Sequence, residues 1–164
     1  ADLNLANEGV KAENIWMVGN IMIDSLLNQA RKAEKSDVHA KLKISNDNYA
    51  LITLHRPSNV DDEKTFSGIM DALEIIGKDI PLIFPAHPRT TKMIDKFGFE
   101  NRINQIPNFK MTKPLGYLDF LALIRHAKVV LTDSGGLQEE TTALGKEHKL
   151  EKINIRFVVH VTDA

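Results

Sequence analysis

The chain has 164 residues, 43% hydrophobic and 26% charged, with a formal net charge of −1 and no cysteine. That balance fits a folded unit with a sizeable core and gives no electrostatic reason to expect nucleic acid or an acidic membrane surface as partner. The lack of cysteine excludes disulfides, thiolate metal sites and a thiol nucleophile and suits a reducing cytoplasm, and no apolar run is long enough for a membrane span.

In chain order, residues 2–8 are expected to form a short helix closed by Gly9. Asn14 to Val18 reads as a strand stopped by Gly19 and Asn20. Asn20 suits the cap of a helix that carries Ile21, Ile23, Leu26, Leu27 and Ala30 near one face. Residues 31–48 are polar and charged, a solvated connection in which Ser36 can start a short helix. Tyr49 to Leu54 is a strong strand that halts at His55-Arg56-Pro57-Ser58-Asn59. Asp61 or Asp62 caps the next helix, whose apolar stripe is Phe66, Ile69, Met70, Leu73 and Ile76 and whose end is Gly77. Ile80 to Phe84 is another buried strand, broken by Pro85-Ala86-His87-Pro88-Arg89. Thr90 or Thr91 is expected to open a short helix to about Phe97. Arg102 to Ile106 reads as a weaker strand, residues 116–126 as an apolar helix, and residues 128–132 as the last clear strand. That strand runs through Asp133-Ser134-Gly135-Gly136 into a helix over Leu137 to Leu144.

Near-continuous apolar strands alternating with helices indicate an α/β fold: a doubly wound, Rossmann-like parallel sheet covered on both faces. Such sheets bind ligands beyond the carboxyl ends of their strands. The polar residues gather there: Asn20, His55 and Arg56, His87 and Arg89, and the Ser-Gly-Gly joint. A strand that turns through Ser134, Gly135 and Gly136 into a helix presents backbone N–H groups and the positive end of a helix dipole, a match for phosphate. Glu140, one turn further in, can accept hydrogen bonds from hydroxyls of the same ligand. Phe120 can stack on a base or serve as a core aromatic, and the residues alone leave both open. His55 can contact phosphate or transfer a proton, since imidazole titrates near neutral pH. Arg56 and His87 are further candidates that read equally as surface groups, and Asn20 reads first as a helix cap. The Gly-x-Gly-x-x-Gly and Gly-Lys-Ser/Thr patterns are absent, so neither nicotinamide-dependent hydride transfer nor P-loop hydrolysis is expected.

The segments His55-Arg56-Pro57-Ser58-Asn59-Val60, Pro85-Ala86-His87-Pro88, Pro114-Leu115-Gly116-Tyr117-Leu118-Asp119-Phe120 and Thr132 to Glu140 occur in the order in which the non-hydrolysing UDP-N-acetylglucosamine 2-epimerases carry similar ones. The chain resembles that family from about Asn14 to Gly145, and residues 146–164 form a divergent tail. The resemblance implies one half of a glycosyltransferase-B-type architecture, a single UDP-binding domain over residues 1–164. It implies inversion at C2 of UDP-GlcNAc through elimination and re-addition of UDP, with no cofactor and no metal. Ser134, Gly135 and Gly136 would then bind the diphosphate, Glu140 the ribose hydroxyls, and Phe120 and Leu115 the uracil. His55 would assist departure and return of UDP.

Three departures accompany the resemblance. The family's preceding domain, which carries the carboxylates that act on the sugar ring, is not within these residues. Ser58 stands where the family usually has an acid. Beyond Lys146 the family's Thr-Glu-Arg-Pro motif is replaced by a tail with strand-like alternation from Ile153 to Val161. The half is therefore expected to bind UDP or UDP-GlcNAc in the cytoplasm and to be inactive alone, as a homodimer or with a separately encoded N-terminal half. The alternatives are a non-catalytic assembly module, or the donor-nucleotide domain of a glycosyltransferase.

Overall fold

The structure is a computed structural model that describes residues 2–45, 48–137, 140–141 and 157–160. Among the described residues five strands form one sheet: β1 (Ala50–Thr53), β2 (Leu82–Pro85), β3 (Phe109–Thr112), β4 (Val129–Thr132) and β5 (Phe157–His160). Their order is β3-β2-β1-β4-β5, and every pairing is parallel. The helices whose bounds lie within the described residues are α1 (Asp2–Asn7), α2 (Ile21–Ala33), α3 (Val38–Leu42), α4 (Pro57–Val60), α5 (Glu63–Ile76), α6 (Pro88–Phe97), α7 (Glu100–Gln105) and α8 (Tyr117–His126). The glycosyltransferase-B-type, Rossmann-like half expected from the sequence is the architecture found.

The two-residue period of the strands builds both cores. Ala50, Ile52 and Leu54 face one way, with Leu82, Phe84 and Leu131, onto Phe66, Met70 and Leu73 of α5 and Ile94 of α6. Tyr49 and Leu51 face the other way, with Ile83 and Val130, onto Leu26 of α2, Val38 of α3 and Leu121 of α8. Arg125 fastens α8 to α2 by donating to the Ala30 carbonyl at 2.7 Å and to Glu34 Oε1 at 2.9 Å. Phe66 is fully buried, with its ring centroid 5.4 Å from that of Phe99. Phe66→Ala is therefore expected to cost about 3–5 kcal/mol, read as a fall in the urea midpoint at unchanged slope. A loss below about 1 kcal/mol would contradict this packing.

Asp62, not Asp61, caps α5: its Oδ1 accepts from the Thr65 amide at 2.8 Å and the Thr65 hydroxyl at 2.7 Å. The amide bond is the first cause of a lowered Asp62 pKa. Other expectations are corrected. Asn14 to Val18 is not a strand. Ala12–Asn14 is a single 3-10 turn, and the segment after it has no strand partner among the described residues. Strand-like composition makes a strand only where an edge is offered for pairing. Arg102 to Ile106 is not a strand either, because residues 100–105 form α7. Ile103 and Ile106, three apart, both reach the α5 core, while Arg102 Nε bonds Glu74 Oε1 at 2.7 Å. The third strand begins later, at Phe109. The helix α6 opens at Pro88 under a His87 cap, while Thr90 is buried and donates its hydroxyl proton to the Leu54 carbonyl. The helix expected from Leu137 begins at residue 135, and residues 142–144 lie outside the described residues. Within the tail, Phe157–His160 lies as an edge strand beside β4.

Candidate functional site

The strand order locates the site. The chain winds outward from β1 through β2 and β3, then returns to the other side of β1 as β4. At such a reversal the connections leave in opposite directions and open a crevice at the carboxyl ends. Thr53 and Thr132 are register partners at this point, and their hydroxyls share a 2.6 Å hydrogen bond. His55 follows one strand and Asp133 to Gly136 follow the other.

Asp133 is fully buried and joins the two strand ends. Its Oδ2 accepts from the amides of His55 at 2.8 Å and Arg56 at 2.7 Å and from Asn59 Nδ2 at 3.3 Å. His55 Nδ1 stands 2.9 Å from Oδ1. That approach lacks the alignment of a hydrogen bond, so Oδ1 has no aligned donor among the described residues.

Ser134 is the cap of the next helix. Its amide donates to Thr132 Oγ1 at 3.0 Å, and its Oγ accepts from the Leu137 amide at 3.4 Å. Gly135 and Gly136 occupy the first helical turn, where amides have no intrahelical carbonyl partner. Neither glycine has a positive φ. A Cβ on Gly136 would meet nothing within 4 Å, and one on Gly135 would meet only Arg56 Nη2 at 3.7 Å. The fold itself does not demand glycine at either position.

Beside this joint lies a cleft of about 260 Å³ lined by Thr53, Leu54, His55, Pro85, His87, Pro114, Leu115 and Phe120. The His55 and His87 rings are 6.0 Å apart, and His87 Nδ1 accepts from the Arg89 amide at 3.1 Å. Phe120 packs against the α2–α8 core and also lines the cleft. Burial raises the pKa of the Glu140 carboxyl, and burial followed by the negative charge of Glu140 raises that of the Tyr117 phenol. Asn20 caps α2 by accepting from the Met22 amide at 2.9 Å and is not a cleft-lining residue. Arg89 pairs with Asp61 at 3.1 Å.

Asp133 is the residue that sequence reasoning passed over. The signal available was an acid set directly after a buried strand, where an unpaired charge is costly. Among the described residues no helix is long and apolar enough to cross a membrane, and no cluster of three metal-ligating side chains occurs.

A family model described as UDP-N-acetylglucosamine 2-epimerase matches residues 1–156. A protein named UDP-N-acetylglucosamine 2-epimerase homolog from Methanococcus maripaludis is 41% identical over 165 residues, covering 99% of this chain and 45% of that protein. The UDP-N-acetylglucosamine 2-epimerase of Methanocaldococcus jannaschii is 39% identical over 86% of this chain and 40% of its own length. A solved structure of UDP-GlcNAc 2-epimerase from that organism matches with a TM-score of 0.80 and 33% identity, over 98% of this chain and 48% of its own. The Neisseria meningitidis enzyme bound to UDP-GlcNAc matches with a TM-score of 0.71 and 26% identity, over 99% of this chain and 42% of its own. The chain thus spans less than half the length of these relatives.

Proposed function

Because the chain belongs to the UDP-N-acetylglucosamine 2-epimerase family, we propose that it is the nucleotide-binding half of such an enzyme, with the UDP of a UDP-sugar seated in the β1/β4 crevice. The observation that carries this reading is the pair of glycines in a helical first turn, with open space where a side chain would stand. The Gly135 and Gly136 amides and the Ser134 hydroxyl hold the diphosphate, and the Glu140 carboxylate accepts from the ribose hydroxyls. Phe120 packs on the uracil with Leu115 beside it. Arg56, next to Gly135, adds positive charge, and His87 closes the far wall of the cleft.

In the proposed reaction a base removes the C2 proton as the C1–O bond breaks, and its electron pair leaves on the UDP oxygen. In the return step UDP re-forms the C1–O bond on the face it left while a proton is delivered to the opposite face of C2, so that C2 alone is inverted. The change is redox-neutral and calls for no redox cofactor. His55 supplies a proton to the departing oxygen and takes it back. The ring-directed carboxylates belong to the half that the resemblance places before this one, so these residues bind UDP and turn over nothing by themselves. Such a reaction fits the cytoplasm, where nucleotide sugars are handled. Joining the preceding half should produce UDP-ManNAc from UDP-GlcNAc, followed by NMR. Epimerisation by the 164 residues alone would overturn the claim of inactivity, and transfer of sugar to an acceptor would favour the glycosyltransferase reading.

One observation favours a further role in assembly. Trp16, Met17, Val18 and Ile21 are 73%, 80%, 85% and 74% exposed, an apolar stretch without cover among the described residues. Trp16 is the chain's one tryptophan. Its fluorescence is expected to move to shorter wavelength when a partner half, or a second copy at raised concentration, covers this stretch. Emission that stays water-like in a sedimenting complex would contradict the assembly reading.

A further inference from the structure

The Asp133 carboxylate is held so that only one of its oxygens can serve the cleft. Oδ2 is occupied by three donors from the 55–59 loop. Oδ1 is buried, lacks an aligned donor among the described residues, and faces His55 Nδ1 at 2.9 Å. Two bare acceptors that close repel, and the anchored carboxylate cannot swing away. We propose that Asp133 is a positioning residue for His55: its Oδ1 fixes the ring proton on Nδ1, so that Nε2 is the nitrogen presented to the ligand. The inference rests on the reading of the crevice as a diphosphate site.

The histidine across the cleft is set the opposite way. His87 Nδ1 accepts from the Arg89 amide, so its proton sits on Nε2. Two imidazoles 6.0 Å apart are thereby held in opposite tautomers, one offering an acceptor and the other a donor. In the doubly protonated ring Nε2 carries the mobile proton. As the C1–O bond breaks, that proton passes to the UDP oxygen and His55 returns to its Nδ1–H form. Re-addition runs the same transfer backwards, and the ring keeps its Nδ1–H toward Asp133 throughout.

The tautomers are read directly from ring nitrogen chemical shifts of the uniformly labelled, UDP-free chain, with His55→Gln and His87→Gln identifying the signals. The expected result is a pyrrole-type Nδ1 and pyridine-type Nε2 for His55 at a pH where it is neutral, and the reverse for His87. In Asp133→Asn the His55 proton should move predominantly to Nε2, a change that a merely structural role for Asp133 would not produce. A proton on Nε2 of His55 in the wild type, or an unchanged tautomer in a folded Asp133→Asn, would overturn the proposal. The wild-type spectrum decides alone if that variant does not fold. Because no nucleotide is present, failure here leaves UDP binding untouched, and failure to bind UDP leaves the tautomer assignment standing.

Discussion

Gly136→Ala should fold as well as the wild type and lose at least about tenfold in UDP affinity, a difference of about 1.4 kcal/mol. The two halves of this result have separate causes. In the fold, Gly136 has ordinary helical freedom and a Cβ would touch nothing. Alanine also favours a helix over glycine by about 1 kcal/mol, so thermal stability should hold or rise slightly. In the proposed complex, the same Cβ would stand where the diphosphate approaches the first-turn amides, and a backbone cradle tolerates no spacer. Circular dichroism and calorimetry on one preparation separate the effects. A variant that binds UDP as the wild type does would mean that the phosphate lies elsewhere.

Glu140→Gln should move stability and binding in opposite directions. Burial raises the folded-state pKa of this carboxyl. The stabilising contribution of its protonated form is fully present below the unfolded pKa and is lost as pH rises through the folded pKa. At neutral pH the wild type therefore carries a buried charge that opposes folding. Glutamine removes it, so the variant should melt at a higher temperature at neutral pH, with the advantage shrinking as pH falls into the carboxyl range. The cost appears in the ligand. Hydrogen bonds to a charged acceptor are worth about 1.5–3 kcal/mol, so losing the carboxylate should weaken UDP binding about ten- to a hundredfold. A melting temperature unchanged across the pH series would contradict the buried, destabilised carboxylate. Unchanged affinity would remove Glu140 from the ribose.

Much of this arrangement was legible in the chain. The runs at Tyr49–Leu54 and 128–132 are apolar on both faces, which specifies strands covered on both sides, and they are β1 and β4. Once two such strands flank the reversal, His55 and Ser134 to Gly136 fall by topology alone at the carboxyl edge of the sheet. Residues 102–106 were misleading because two isoleucines three apart fit one face of a helix, and only contact with α5 decides that they do. Asn14 to Val18 has the composition of a strand, but pairing is a property of two segments and not of one. The position of Asp133 after a buried strand was readable, but its partners were not, because they come from the 55–59 loop some seventy-five residues earlier. The raised pKa of Glu140 is likewise a product of its surroundings and not of its neighbours in sequence.

The central claim is that the crevice between β1 and β4 holds the diphosphate of UDP. Calorimetric titration of the chain with UDP, and separately with uridine, tests it most directly. The account predicts measurable UDP binding, with uridine weaker by at least about tenfold because it lacks the phosphates proposed to meet the Gly135 and Gly136 amides. Equal binding of the two ligands, or no binding of UDP, would contradict it.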